Sequence, residues 1–145
     1  MADDDAMDVP EVQRRLAAAL RLQYRSALLH AIAAGVVGGP DGVLATDLLA
    51  EYAALELADV GRLADKLVSL DGTPPADLGT LPALSGALKD VLTTLVETDD
   101  ETIAALHKVI EPSGQEPRSE ALEHLIEHVI TRKQAQVDRL RRALR

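Results

Sequence analysis

Apolar residues recur every three to four positions through most of the chain, the spacing of one buried face on an α-helix. Asp8 is placed to cap the first run, with Glu11 as its capping-box partner and Pro10 tolerated in the first turn. This helix runs to about Gly35, with Val12, Leu16, Leu20, Tyr24, Ala27 and Ala31 as its stripe. Gly38-Gly39-Pro40-Asp41-Gly42 is the sharpest turn signal in the chain. A second helix runs from about Asp47, or a few residues earlier, to Leu70. Its inner face is Leu48, Leu49, Tyr52, Leu55, Leu63, Leu67 and Leu70. Gly72, Pro74 and Pro75 end it, and the connection from Asp71 to about Thr80 is long for a helical hairpin. Such a length suits a chain that travels along a bundle before turning back.

Pro82 marks the start of a third helix extending to about Ile110, with Leu88, Leu92, Leu95, Val96, Ile103, Leu106 and Ile110 inside. The run Glu97–Glu101 interrupts the pattern and allows a local bend, yet Ile103 and Leu106 resume the same face. Residues 111–117 form the next break. A fourth helix then reaches the C-terminus, with Leu122, Leu125, Ile126, Val129, Val137, Leu140 and Leu144 inside. Residues 1–7 read as a flexible acidic tail and residues 8–145 as one domain. Helices of roughly 25 residues span roughly 38 Å. Four of matched length predict an all-α four-helix bundle rather than an open array.

Composition supports this picture. The chain is 47% hydrophobic but only 1% aromatic, so the core must be Leu, Ala, Val and Ile. Leu and Ala favour helices, whereas β-sandwiches draw on aromatic and β-branched residues. With no cysteine, disulfides, Cys-ligated zinc and iron–sulfur clusters are excluded. The net charge of -9 argues against nucleic acid as a partner. No uninterrupted apolar run is long enough for a membrane span, and MADDDAMD is unlike a secretory signal. A cytoplasmic protein is expected. The basic residues from Arg132 to Arg145 complement the negative end of the last helix and lack the aromatic anchors of a membrane-binding helix.

Polar residues interrupt the inner faces near mid-helix. Glu56 and Asp59 share a helix surface between Tyr52 and Leu63, and Asp99 lies between Val96 and Ile103. Lys133 and Gln136 lie between Val129 and Leu140. Buried charges need partners or a metal. Two readings follow: an ionic cluster of Glu56, Asp59, Asp99 and Lys133, balanced further by Arg21 or water, or iron or manganese held by Glu56, Asp59 and Asp99. Lys133 adds positive charge where a metal would sit, and Glu56-x-x-Asp59 is not the Glu-x-x-His of di-iron bundles. His30, His107, His124 and His128 are expected on the surface, and there is no HExxH, glycine-rich phosphate loop or nucleophile elbow.

The order of these segments resembles the ferritin-like proteins, bacterioferritin most of all. Leu22-Gln23-Tyr24 is similar to the family's Gln-Tyr segment. Glu56 to Leu63, with Leu70-Asp71-Gly72, resembles its Glu-x-x-His region and exit. Asp77-Leu78-Gly79 and Val137-Asp138-Arg139-Leu140 resemble later segments. The resemblance implies an up-down-down-up bundle, a long crossover between helices two and three, and a homo-oligomer of at least two copies. It also implies a ferroxidase centre, which the matched positions do not preserve. Ala17 stands at the first glutamate, Glu56 is retained, Asp59 replaces histidine, Asp99 replaces glutamate, and Lys133 and Gln136 replace the last glutamate and histidine. Leu57 stands at the haem methionine, so haem is not expected. The Gly38–Gly42 turn reads as an insertion bearing on assembly. The expected function is a noncatalytic assembly or interaction protein without a cofactor. The alternative is an iron-binding or iron-storage protein with an atypical site.

Overall fold

The computed structural model describes residues 5–145. Four helices account for most of them: α1 (Val9–Val36), α2 (Gly39–Ser69), α3 (Leu88–Ile110) and α4 (Pro117–Ala143). A 3-10 turn, Glu111–Ser113, joins the last two. Among the described residues there is no strand. α1 packs against both α2 and α3, and α3 packs against α4. Short turns join α1 to α2 and α3 to α4, while residues 70–87 cross between α2 and α3. This is the all-α, four-helix arrangement with a long crossover expected from the sequence.

Local chemistry explains the helix ends. The Asp8 carboxylate accepts the Glu11 N–H at 3.2 Å, an N-cap. The expected capping box is only half formed, because Asp8 N–H donates to the Pro112 carbonyl and the Glu11 side chain pairs with Arg14 and Arg15. A capping box does form at α4, between Glu116 and Ser119. Its carboxylate also accepts the Met7 N–H at 3.0 Å, and Met7 is buried in the core. Residue 7 is thus part of the packed domain, where the sequence suggested tail. The first four residues of that tail lie outside the described residues.

Two boundaries differ from expectation. The glycine-rich segment is not a long turn. Gly39, at φ 73°, makes the corner, Pro40 sits in the first turn of α2, and the helix begins well before Asp47. At α3 the reverse holds. Gly86 adopts φ 96°, so the helix starts at Leu88 rather than near Pro82. The acidic run Glu97–Glu101 causes no break in α3.

The crossover is fastened along α1. The Tyr24 hydroxyl donates to the Pro75 carbonyl at 3.1 Å, and Arg25 donates to the Leu78 and Thr80 carbonyls at 2.6 and 2.9 Å. Arg21 pairs with Asp77 at 2.8 Å, so it does not serve the bundle centre.

The interior is two apolar cores separated by a polar layer. One core gathers Leu16, Leu20, Leu63, Leu67, Leu106, Leu122 and Ile126. The other gathers Leu29, Ala33, Leu49, Tyr52, Leu95, Val137 and Leu140. Most inner-face leucines are where the spacing put them, but Leu55 is exposed.

Candidate metal centre

The polar layer draws on all four helices: Gln23, Ser26 and His30 from α1, Glu56 and Asp59 from α2, Asp99 from α3, and Arg132, Lys133 and Gln136 from α4. All are buried except Arg132, which keeps 17% side-chain exposure. Each interrupts an apolar stripe at helical spacing, so the layer lies in one cross-section of the bundle.

Lys133 sits at its middle. Its Nζ donates to Glu56 Oε1 at 2.6 Å, Glu56 Oε2 at 2.9 Å, Asp99 Oδ1 at 3.1 Å and Ser26 Oγ at 3.2 Å. One ammonium from α4 therefore touches α1, α2 and α3. Ser26 Oγ also donates to Glu56 Oε1 and contacts Asp99 Oδ1.

Arg132 closes the layer on one side. Its Nε donates to Asp59 Oδ2 at 2.7 Å, its NH2 to Glu56 Oε2 at 2.5 Å and its NH1 to Gln136 Oε1 at 3.0 Å. Arg62, half exposed, takes the other Asp59 oxygen at 2.8 Å. Three carboxylates are thus met by three cations: Lys133, Arg132 and Arg62. That balance removes the need for Arg21.

Gln136 completes the network. Its amide donates to Asp99 Oδ2 and to His30 Nε2, each at 3.0 Å, while its oxygen accepts from Arg132. In the neutral ring Nδ1–H donates to the Ser26 carbonyl at 2.8 Å and Nε2 accepts, while in the protonated ring Nε2–H also faces Asp99 Oδ2 at 3.5 Å. Among the described residues, the buried side-chain polar atoms without a partner are Gln23 Oε1 and the Tyr52 hydroxyl.

Titration behaviour follows from these contacts. Burial is the largest single influence on the Glu56 and Asp99 carboxyls and pushes both up, but the Lys133 charge, the facing His30 and their hydrogen bonds together outweigh it, and both lie below their ordinary values. Burial disfavours a charged His30, yet the Asp99 hydrogen bond and the charges of Asp99 and Glu56 outweigh it and raise its pKa. Arg132 is likewise raised, because Glu56 and Asp59 overcome its desolvation.

Lys133, Gln136, Glu56, Asp59 and Asp99 meet at one layer, as their spacing predicted. The grouping within it differs. Asp59 turns to Arg62 and Arg132, and the trio whose ligand atoms all lie within 4.8 Å of one another is His30, Glu56 and Asp99. His30 is fully buried, contrary to the surface position expected for the histidines, whereas His107, His124 and His128 are exposed. The α1 residue meeting Glu56 is Gln23, whose amide donates to its carboxylate at 2.8 Å. Ala17, which the resemblance set at the first glutamate, packs beside the first apolar core instead. Arg132 was hidden among the basic residues of the last helix.

The donor set does not fit a di-iron centre. Both oxygens of Glu56 and both of Asp59 are taken by ammonium or guanidinium groups, and Asp99 is held by Lys133 and Gln136. Of the matched α4 positions, Lys133 offers an ammonium without a lone pair, and the Gln136 oxygen is already taken by Arg132.

A family model described as the ferritin-like domain matches residues 13–145. Among solved structures, one described as ferritin-like, diiron-carboxylate proteins from Bacillus anthracis str. Ames is similar. It has a TM-score of 0.84 at 22% identity, covering 95% of this chain and 98% of that one. A dodecameric thioferritin, the bacterioferritin-related protein from Bacteroides fragilis, gives 0.83 at 18% identity, covering 95% and 86%. A DPS protein from Vibrio cholerae O1 gives 0.82 at 13% identity, covering 94% and 91%. A search of curated proteins finds no significant match.

Proposed function

Because the chain belongs to the ferritin-like family, we propose that it is a noncatalytic, homo-oligomeric member whose metal centre has become an ion-pair layer. The observation that carries this reading is the position of Lys133 Nζ, within 3.1 Å of carboxylate oxygens from both Glu56 and Asp99. A metal between two helices bridges carboxylates by accepting their lone pairs. The ammonium takes the same lone pairs with N–H groups and holds the same helices together without redox chemistry. The iron-binding alternative needs Glu56, Asp59 and Asp99 to share an ion, and Asp59 is bound to two arginines.

The assembly face we assign lies on α1 and α2. Tyr24, Leu28, Leu57, Val60 and Leu78 line an apolar groove of about 470 Å³, and Leu57 is 65% exposed. An apolar patch of this kind marks an interface rather than a solvated surface, and the B. fragilis neighbour is a dodecamer. Leu57 offers no thioether to a haem. No helix among the described residues is long and apolar enough to cross a membrane. A cysteine-free chain suits the reducing cytoplasm, where we place it.

The deciding experiment is aerobic addition of ferrous ion to the purified protein, with oxidation followed optically and bound iron measured by elemental analysis. The proposal expects oxidation at the rate of protein-free buffer and no stoichiometric iron. Rapid oxidation abolished by Glu56→Gln would overturn it.

A further inference from the structure

We propose that the cleft between α2 and α4, beside the polar layer, binds a small organic anion, a carboxylate or phosphate with a short apolar tail, through Tyr52, Arg132 and Arg139.

The cleft measures about 200 Å³, with Tyr52 and Leu55 on its α2 side and Arg132, Ala135 and Arg139 on its α4 side. It is smaller than the pockets that take drug-sized ligands, so its occupant has few heavy atoms. It shares no residue with the α1–α2 groove assigned to assembly.

Its free polar groups are mostly donors. The Tyr52 hydroxyl is buried without a partner, on a side chain only 5% exposed. A buried hydroxyl in that state calls for one. Burial raises its pKa, so it keeps its proton at neutral pH. Of the charges acting on it, the Arg139 guanidinium is the strongest, which sets the hydroxyl end of the ring towards Arg139. Arg139 is exposed and has no ion-pair partner among the described residues. Arg132 spends three N–H groups on Asp59, Glu56 and Gln136, which leaves two of the five on its guanidinium group unspent.

These groups select an anion. Guanidinium forks match the paired oxygens of a carboxylate or phosphate, and the hydroxyl adds a third donor. Leu55 and Ala135 give the cleft an apolar wall that a short alkyl tail would cover. Glu51 is the one carboxylate on the wall, and it forms no ion pair with Arg139. Arg142 adds a second positive charge near Tyr52, so the arginines outweigh Glu51.

The test is isothermal titration calorimetry of the full chain with butyrate, butyl phosphate and inorganic phosphate at matched sodium chloride, and with butylammonium as the cationic control. Tyr24 and Tyr52 are the only tyrosines and there is no tryptophan, so tyrosine emission locates the ligand. The proposal expects one saturable site per chain for a butyl anion, with emission quenched, and the tighter of the two butyl anions identifies the head group. Arg139→Ala and Tyr52→Phe should each weaken binding about tenfold, and Glu51→Gln should strengthen it. Arg139 is exposed and the Tyr52 hydroxyl has no partner, so both weakened variants should keep the native circular dichroism. No saturable heat with either butyl anion, binding unchanged in both variants, quenching that survives Tyr52→Phe, or equal binding of butylammonium would each overturn the site. Inorganic phosphate binding as tightly as butyl phosphate would overturn the apolar tail.

Discussion

Lys133 Nζ lies 2.6 Å from one oxygen of Glu56 and 2.9 Å from the other, so an α4 ammonium grips the whole α2 carboxylate. Neither side chain is accessible to solvent. In such a setting each charge depends on the other, and removal of one is costly while joint replacement by apolar groups can be neutral.

The first expectation concerns that pair. Lys133→Ala should cost about 3–5 kcal/mol in denaturant melts, because it strands buried carboxylates. Lys133→Ala with Glu56→Ala should cost less than the sum of the single changes. Additive single and double effects would show that the two charges do not depend on one another.

The pH profile should be a dome. Glu56 and Asp99 lie below their ordinary values of 4.5 and 3.8, so they stabilise the fold above those values and lose that contribution as pH falls through their lower folded values. His30 lies above its ordinary 6.5, so its contribution is complete below 6.5 and is lost as pH rises through its folded value. Stability should therefore be greatest between about 4.5 and 6.5. Urea midpoints measured from about pH 3 to about pH 9 check this, and His30→Gln should flatten the alkaline side. A native midpoint still rising above neutrality would contradict a folded-state His30 that holds its proton more tightly than a free imidazole.

Assembly can be tested at Leu57. Light scattering of the native chain should give a mass above 15.5 kDa, whereas Leu57→Glu should return towards 15.5 kDa with its helix content intact. A monomeric native chain would remove the homo-oligomer, and an unchanged Leu57→Glu oligomer would move the interface elsewhere.

With a net charge of -9, the chain should not shift duplex DNA in gels at physiological salt. A retained complex competed by one sequence only would show a base-reading surface that the charge balance conceals.

Helical spacing made the bundle legible. Leu63 and Leu67 on α2, Leu95 and Leu106 on α3, and Ile126 and Val137 on α4 are all buried as their periodicity required. On α1 the reading slipped. Steps of four from Val12 to Tyr24 drift by about 40° each, because a turn holds 3.6 residues. That drift placed Tyr24 and Ala31 inside and left His30 out. The buried series is Val12, Leu16, Ala19, Leu20, Gln23, Ser26, Ala27, Leu29, His30 and Ala33, mixing steps of three and four. Had polar Gln23, Ser26 and His30 been allowed on that stripe, the α1 share of the layer would have been visible. Arg132 was beyond such reasoning. It lies beside Lys133 in sequence, about 100° around the helix, and only the approach of α2 shows that its guanidinium reaches Glu56 and Asp59. The start of α3 was set by Gly86 and its positive φ, a signal weaker in sequence than Pro82.

The most direct measurement is anomalous diffraction at the iron edge from crystals soaked anaerobically with ferrous ion. The account predicts no anomalous peak between Glu56 and Asp99, and density for the Lys133 ammonium within hydrogen-bonding distance of both carboxylates. An iron peak bridging Glu56 and Asp99, with Lys133 displaced from them, would contradict it.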